Sequence, residues 1–103
     1  MRIVWSPVAL QRVEDIAGMI AVERPLAAER WIRSIFSRAK QLASHPASGR
    51  MVPELGDPEI RQLPHPPYRI IYRIETKRVL VLTVRHGRQD DVAATELRDP
   101  DTW

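Results

Sequence analysis

The apolar residues of this chain change their spacing once, close to Gly49, and that change limits the folds open to it. Up to Ala43 they recur at intervals of three and four, the spacing of one helix face, while from Arg50 to Arg85 they alternate as strands do. A helical half and a strand half, each with one apolar side, bury those sides by packing on one another. With 103 residues, 44% of them hydrophobic, there is material for one modest core and one domain.

The helical half divides further. Ile3-Val4-Trp5 reads as a short strand, and Ser6-Pro7 supplies a hydroxyl cap followed by a proline whose missing N–H is harmless in a first turn. Ala9, Val13, Ile16, Ala17 and Ile20 then keep helical spacing, with an end expected near Glu23. Pro25 opens a second helix in which Ala28, Trp31, Ile32, Ile35, Phe36, Ala39, Leu42 and Ala43 form one broad stripe. So short a connection predicts an antiparallel helical hairpin. His45-Pro46 and Gly49 end it, and Trp5, Trp31 and Phe36 read as core.

Strands are expected at Arg50–Pro53, Glu59–Leu63, Tyr68–Glu75 and Arg78–Arg85, the last two joined as a hairpin. Strict alternation puts Tyr68, Ile70, Tyr72, Ile74, Leu80, Leu82 and Val84 toward the helices. It puts Arg69, Ile71, Arg73, Val79, Val81, Thr83 and Arg85 on the other face, apolar in the middle and cationic at its edges. The fold class is therefore α+β: an N-terminal strand, then a two-helix antiparallel hairpin on one face of a small, mainly antiparallel sheet.

Charge is unevenly spread. Residues 1–49 carry seven basic and four acidic side chains, residues 50–88 eight and four, and residues 89–103 one and five. A single domain over 1–89 with an acidic tail at 90–103, either a short helix or disordered, is the expected organisation. The absence of cysteine excludes disulfides, thiolate metal sites and cysteine nucleophiles. The three histidines have no spacing suited to a shared metal, and no cofactor is implied. His45 and His65 precede prolines in expected loops. No apolar run is long enough for a signal peptide or a membrane span, so a cytoplasmic location is the expectation.

The order Trp5-Ser6-Pro7, Pro25-Leu26-Ala27-Ala28, Gly49-Arg50, Pro53-Glu54, Ile60-Arg61, Tyr68-Arg69-Ile70-Ile71-Tyr72 and Arg85-His86-Gly87-Arg88 resembles the ParE/RelE superfamily of bacterial toxins from type II toxin–antitoxin pairs. The resemblance implies a compact toxin that inhibits growth, stabilises a plasmid or chromosome, and is held inactive by a cognate antitoxin. It leaves two activities open. ParE-like members inhibit DNA gyrase; RelE-like members cut messenger RNA on the ribosome without a metal.

For cleavage the resemblance nominates Glu54, Arg61, Arg69, Arg85 and His86, with Glu54 in the place of a general base and Arg69 on phosphate. His86, however, stands one place earlier than the histidine of that pattern, which on a strand turns it to the opposite face. The lysine cluster of other ribonuclease members is also missing, since the only lysines are Lys40 and Lys77. The gyrase-inhibiting reading is therefore favoured, with no catalytic residue assigned and Glu54 expected to pair with Arg50 or Arg61. Target binding is expected from Arg50, Arg61, Arg69, Arg73, Arg85 and Arg88. Antitoxin binding is expected on the apolar face, through Ile71, Val79, Val81 and Arg73.

Overall fold

The computed structural model describes residues 1–87 and 94–97. Its elements run β1 (Arg2–Trp5), α1 (Pro7–Ala21), α2 (Pro25–Lys40), β2 (Arg50–Met51), β3 (Ile60–His65), β4 (Tyr68–Ile74) and β5 (Arg78–His86), with short 3-10 turns at Gln41–Ala43, Pro46–Ser48 and Ala94–Leu97. The five strands lie in the order β1-β5-β4-β3-β2. β1 runs parallel to β5, and the other neighbours are antiparallel. This is the α+β arrangement expected, with His65 closing β3 rather than lying in a loop.

Ser6 ties the two halves together. Its side chain accepts the N–H of Ala9 and so caps α1, its own N–H donates to Val81 O at 3.0 Å, and its hydroxyl donates to Leu82 O at 2.9 Å. Both carbonyls belong to β5 at the point where β1 stops pairing, after Trp5 opposite Val81. A buried cap that also satisfies a strand carbonyl contributes about 2 kcal/mol, from the cap and from the donor that the carbonyl would otherwise lack.

That same point carries the one departure from strict alternation. Ile71 lies opposite Thr83 and Tyr72 opposite Val81, so Leu82 is an extra residue in β5. An inserted residue reverses the facing of everything on one side of it. Val79 and Val81 consequently join Ile70, Tyr72 and Val84 in the core against the helices, where Ala9, Val13, Ile16, Ile35, Ala39 and Leu42 meet them. Leu80 and Leu82 turn to the far face, with Ile71, Ile60 and Val52. The expectation that Leu80 and Leu82 face the helices while Val79 and Val81 face away is thus corrected.

The far face is closed as well. Val52 is fully buried in it, and Val4, Leu55 and Leu97 pack onto it from the edge strand, the segment after β2 and the C-terminal 3-10 turn. Trp5, Trp31 and Phe36 line the rim of the helix-side core, half-buried, with the Trp5 and Phe36 rings 4.5 Å apart. No helix among the described residues is long and apolar enough to cross a membrane.

Candidate binding face

The far face of the sheet gathers charge because β4 alternates arginine with isoleucine. Arg69 and Arg73 flank Ile71 on that side, and Arg85 of β5 lies directly opposite Arg69. Two guanidinium groups opposed across a strand pair repel one another unless each has a counter-charge. Each has one. Glu54 takes Arg69 through both oxygens, at 2.6 and 3.2 Å, and Glu96 accepts from Arg85 Nη1 at 2.9 Å.

Glu54 reaches Arg69 because the segment after β2 folds over the far face. Buried Val52 anchors it, Leu55 and Gly56 donate their N–H groups to Val52 O, and Gly56 takes a φ of 63°, the left-handed region that glycine adopts without strain. Gln62, on β3, adds an acceptor at 2.9 Å from Arg69 Nη1. The result is an arginine 7% exposed that, among the described residues, bonds to the Glu54 carboxylate and the Gln62 amide. The expected pairing of Glu54 with Arg50 or Arg61 is not what forms.

Beside this pair lies an open cleft of about 340 Å³, lined by Arg50, Gln62, Tyr68, Arg69, Gly87 and the prolines at 64, 66 and 67. Arg50 is exposed at its rim. Such a cleft offers cations and one aromatic edge to an anionic or carbonyl-bearing partner.

Two expected members lie on the other side of the sheet. Arg61 is opposite Tyr72, which faces the helices, and its Nη1 donates to Gly49 O at 3.0 Å. His86 is opposite Tyr68 and sets its ring edge-on to that tyrosine at 5.6 Å, while Trp31 meets the same tyrosine at 5.4 Å. His86 and Glu54 are therefore separated by the sheet. Arg88 lies outside the described residues. Of the residues expected to meet the antitoxin, Val79 and Val81 are fully buried on the helix side and are withdrawn as surface contacts; Ile71 is on the far face but also fully buried, in the cluster that Val52 shares and that Leu55 and Leu97 pack against. Arg73 remains at its rim.

Tyr72 fixes the loop beneath Arg61. Its hydroxyl donates to Pro46 O at 2.7 Å and accepts from Gly49 N at 2.9 Å. Burial raises its pKa above the ordinary 10.0, against the smaller opposing effects of the Gly49 N–H and the Arg61 charge. His65 is shifted the other way. Burial first, and the Arg38 charge second, lower its pKa below 6.5. Ser34 donates its only proton to Trp31 O at 2.7 Å, so the 2.9 Å contact with His65 Nε2 has the ring nitrogen as donor.

The pH consequence has a definite sign. A histidine whose folded pKa is lowered leaves the unfolded chain holding more protons, so stability is full above 6.5 and falls as pH drops toward the lowered value. Replacing His65 by glutamine is expected to flatten that part of the curve, measured as the denaturation midpoint across this range. An unchanged slope would remove His65 from the account.

Sequence reasoning did not find Glu96, Arg12 or Gln62. Arg12 of α1 meets Glu96 through Nη2 and, at 2.9 Å, through Nε. Glu96 is one of five acidic residues in the last fifteen, and nothing local distinguishes it from the others. Among the described residues no group of three His, Cys, Asp or Glu side chains could hold a metal ion.

Comparison with known proteins bears on the whole of this arrangement. The family model described as the ParE toxin of the type II toxin–antitoxin system parDE matches residues 3–91. A Sinorhizobium fredii protein named "Putative toxin Y4kP" is 39% identical over 88 residues, spanning 85% of this chain and 90% of the relative. Among solved structures, the chromosomal ParDE system from P. aeruginosa includes a chain with a TM-score of 0.73 at 20% identity, over 85% of this chain and 97% of that one. The RelBE2 toxin–antitoxin complex from Mycobacterium tuberculosis includes another, with a TM-score of 0.59 at 19% identity, over 82% and 95%. At those identities the two structures speak for the fold.

Proposed function

Because this chain belongs to the ParE toxin family of type II toxin–antitoxin systems, we propose that it acts by binding DNA gyrase rather than by cutting RNA, and that a cognate antitoxin holds it inactive. The observation that carries the choice of target is the placement of Glu54 and His86 on opposite faces of the sheet. Metal-free RNA cleavage needs a base at the 2′-hydroxyl and an acid at the leaving oxygen, both within hydrogen-bond reach of one phosphate. Here the carboxylate is engaged by a buried guanidinium, and the imidazole stands against Tyr68 behind the sheet. What remains on the far face is a binding surface, with Arg50 and Arg73 at its edges.

The antitoxin enters the proposal from the family and from the two solved relatives, each of which belongs to a toxin–antitoxin system. Its target and its antitoxin would both meet the chain in the cytoplasm.

The purified protein is expected to inhibit supercoiling by gyrase and to leave messenger on programmed ribosomes intact. Glu54→Gln, which keeps an acceptor for Arg69, is expected to retain inhibition. A general base, by contrast, supplies about 10²–10⁴ in rate. Messenger cleavage that disappears in a folded Glu54→Gln protein would establish the ribonuclease reading instead.

A further inference from the structure

The far face of the sheet is covered by a piece of the chain's own acidic tail, and the contacts are those of a ligand in a seat. Glu96 is 5% exposed and lies between Arg12 of α1 and Arg85 of β5, accepting from both through one oxygen. The next residue, Leu97, packs against the cluster that Val52, Ile60, Ile71, Leu80 and Leu82 form, and its carbonyl accepts from Arg73 Nη2 at 3.2 Å. One carboxylate, the aliphatic side chain after it, and one backbone carbonyl thus meet three arginines around an apolar floor.

The fit is incomplete. The second oxygen of Glu96 is buried without a hydrogen-bond partner among the described residues, as is the hydroxyl of Thr83 on β5. Unmatched buried polar atoms subtract from the hold of a segment, so this seat favours exchange for an occupant whose carboxylate is better matched.

We infer that the surface formed by Arg12, Arg73 and Arg85 around Ile71, Leu80 and Leu82 is a docking site for an acidic–aliphatic segment of the antitoxin, and that Glu96-Leu97 occupies it in the free chain. The identity of the partner rests on the function proposed above; the surface itself rests on the contacts just given. Charge decides in favour of this occupant. The seat presents three cations, and a nucleic acid would bring a phosphate but nothing to fill the apolar floor that Leu97 covers.

An internal occupant lowers the apparent affinity for an external one by the fraction of molecules in which the seat is open. Weakening Glu96-Leu97 therefore strengthens external binding. The test uses the full chain, as wild type, as Glu96→Gln and as Glu96→Gln with Leu97→Ala. The probes are a synthetic peptide copying residues 92–99, the same peptide with glutamine for its glutamate, and the product of the adjacent reading frame.

The peptide is expected to bind the doubly substituted chain about tenfold more tightly than wild type, with Glu96→Gln between them. The glutamine peptide should bind none of the three measurably, and the adjacent-frame product should show the same order of affinities and be competed by the peptide. Equal peptide affinity for all three chains, or none for any, overturns the seat. An adjacent-frame product whose affinity ignores the substitutions, or which binds no form, overturns the partner while the peptide arm still decides the surface. A wild-type dimer that dissociates on the same substitutions would assign the seat to a second copy and overturn the proposal.

Discussion

A methyl group placed on Gly49 is expected to destabilise the protein by about 4 kcal/mol, the sum of forced overpacking and disrupted hydrogen bonds. Its Cβ would stand 2.5 Å from Gln62 O and 2.6 Å from the Tyr72 hydroxyl. Neither neighbour can retreat cheaply. Gln62 is held in β3 between Arg50 and Ile71, and the Tyr72 hydroxyl is fixed by Pro46 O and by Gly49 N itself. The φ of Gly49 is −78°, so the requirement is for space rather than for a glycine backbone conformation. In a domain of this size the loss should lower the melting temperature by well over about 10 °C. Gly18 supplies the control, because a Cβ there meets nothing within 4 Å on an exposed helix position. Gly18→Ala is expected to raise stability by about 0.5–1 kcal/mol. Gly49→Ala melting with wild type would mean that the Pro46–Gly49 loop does not close on Tyr72 as described.

The second large effect is an asymmetry within the Arg69–Glu54 pair. Glu54→Ala leaves a guanidinium that is 7% exposed without its carboxylate, and is expected to cost about 3 kcal/mol, toward the low end for a broken buried pair because Gln62 still accepts. Arg69→Met keeps the apolar stem and removes the buried charge. The carboxylate left behind has a side chain 29% exposed, which water can solvate. This change is expected to cost under about 1 kcal/mol. Denaturant midpoints for the two variants and for the pair together decide the matter. Equal costs would mean that the pair behaves as a surface ion pair, and the burial of Arg69 would lose its energetic meaning.

That asymmetry bears on function. A residue whose removal unfolds the protein and one whose removal abolishes cleavage look alike in a growth assay. Glu54→Gln, read by gyrase supercoiling and by messenger integrity on folded protein, separates the two. The plane of the Arg69 guanidinium is held by its bonds to Glu54 and Gln62.

Both helices were legible because their signals are local: Ser6-Pro7 and Pro25 mark their starts, and the apolar stripes have the period of the backbone itself. β4 was legible for the same reason, since the alternation of Arg69, Ile71 and Arg73 with Ile70 and Tyr72 holds without interruption. β5 was not. Val79-Leu80-Val81-Leu82 is apolar on both sides, so its sequence carries no alternation from which a facing can be read. The choice falls to the bulge at Leu82, where the hydroxyl of Ser6, 76 residues away in the chain, accommodates the displaced carbonyl. The partners of the arginines were equally out of reach. Arg69, Arg73 and Arg85 announce a cationic face by their spacing, but any of thirteen carboxylates could answer them. Only the fold of the segment behind Val52 brings Glu54 to Arg69, and only the placement of the Ala94–Leu97 turn against the sheet brings Glu96 to Arg85 and Arg12. Periodicity is a property of neighbouring residues and survives in the sequence; the pairing of charges across a closed surface depends on distances that exist only once the chain has folded.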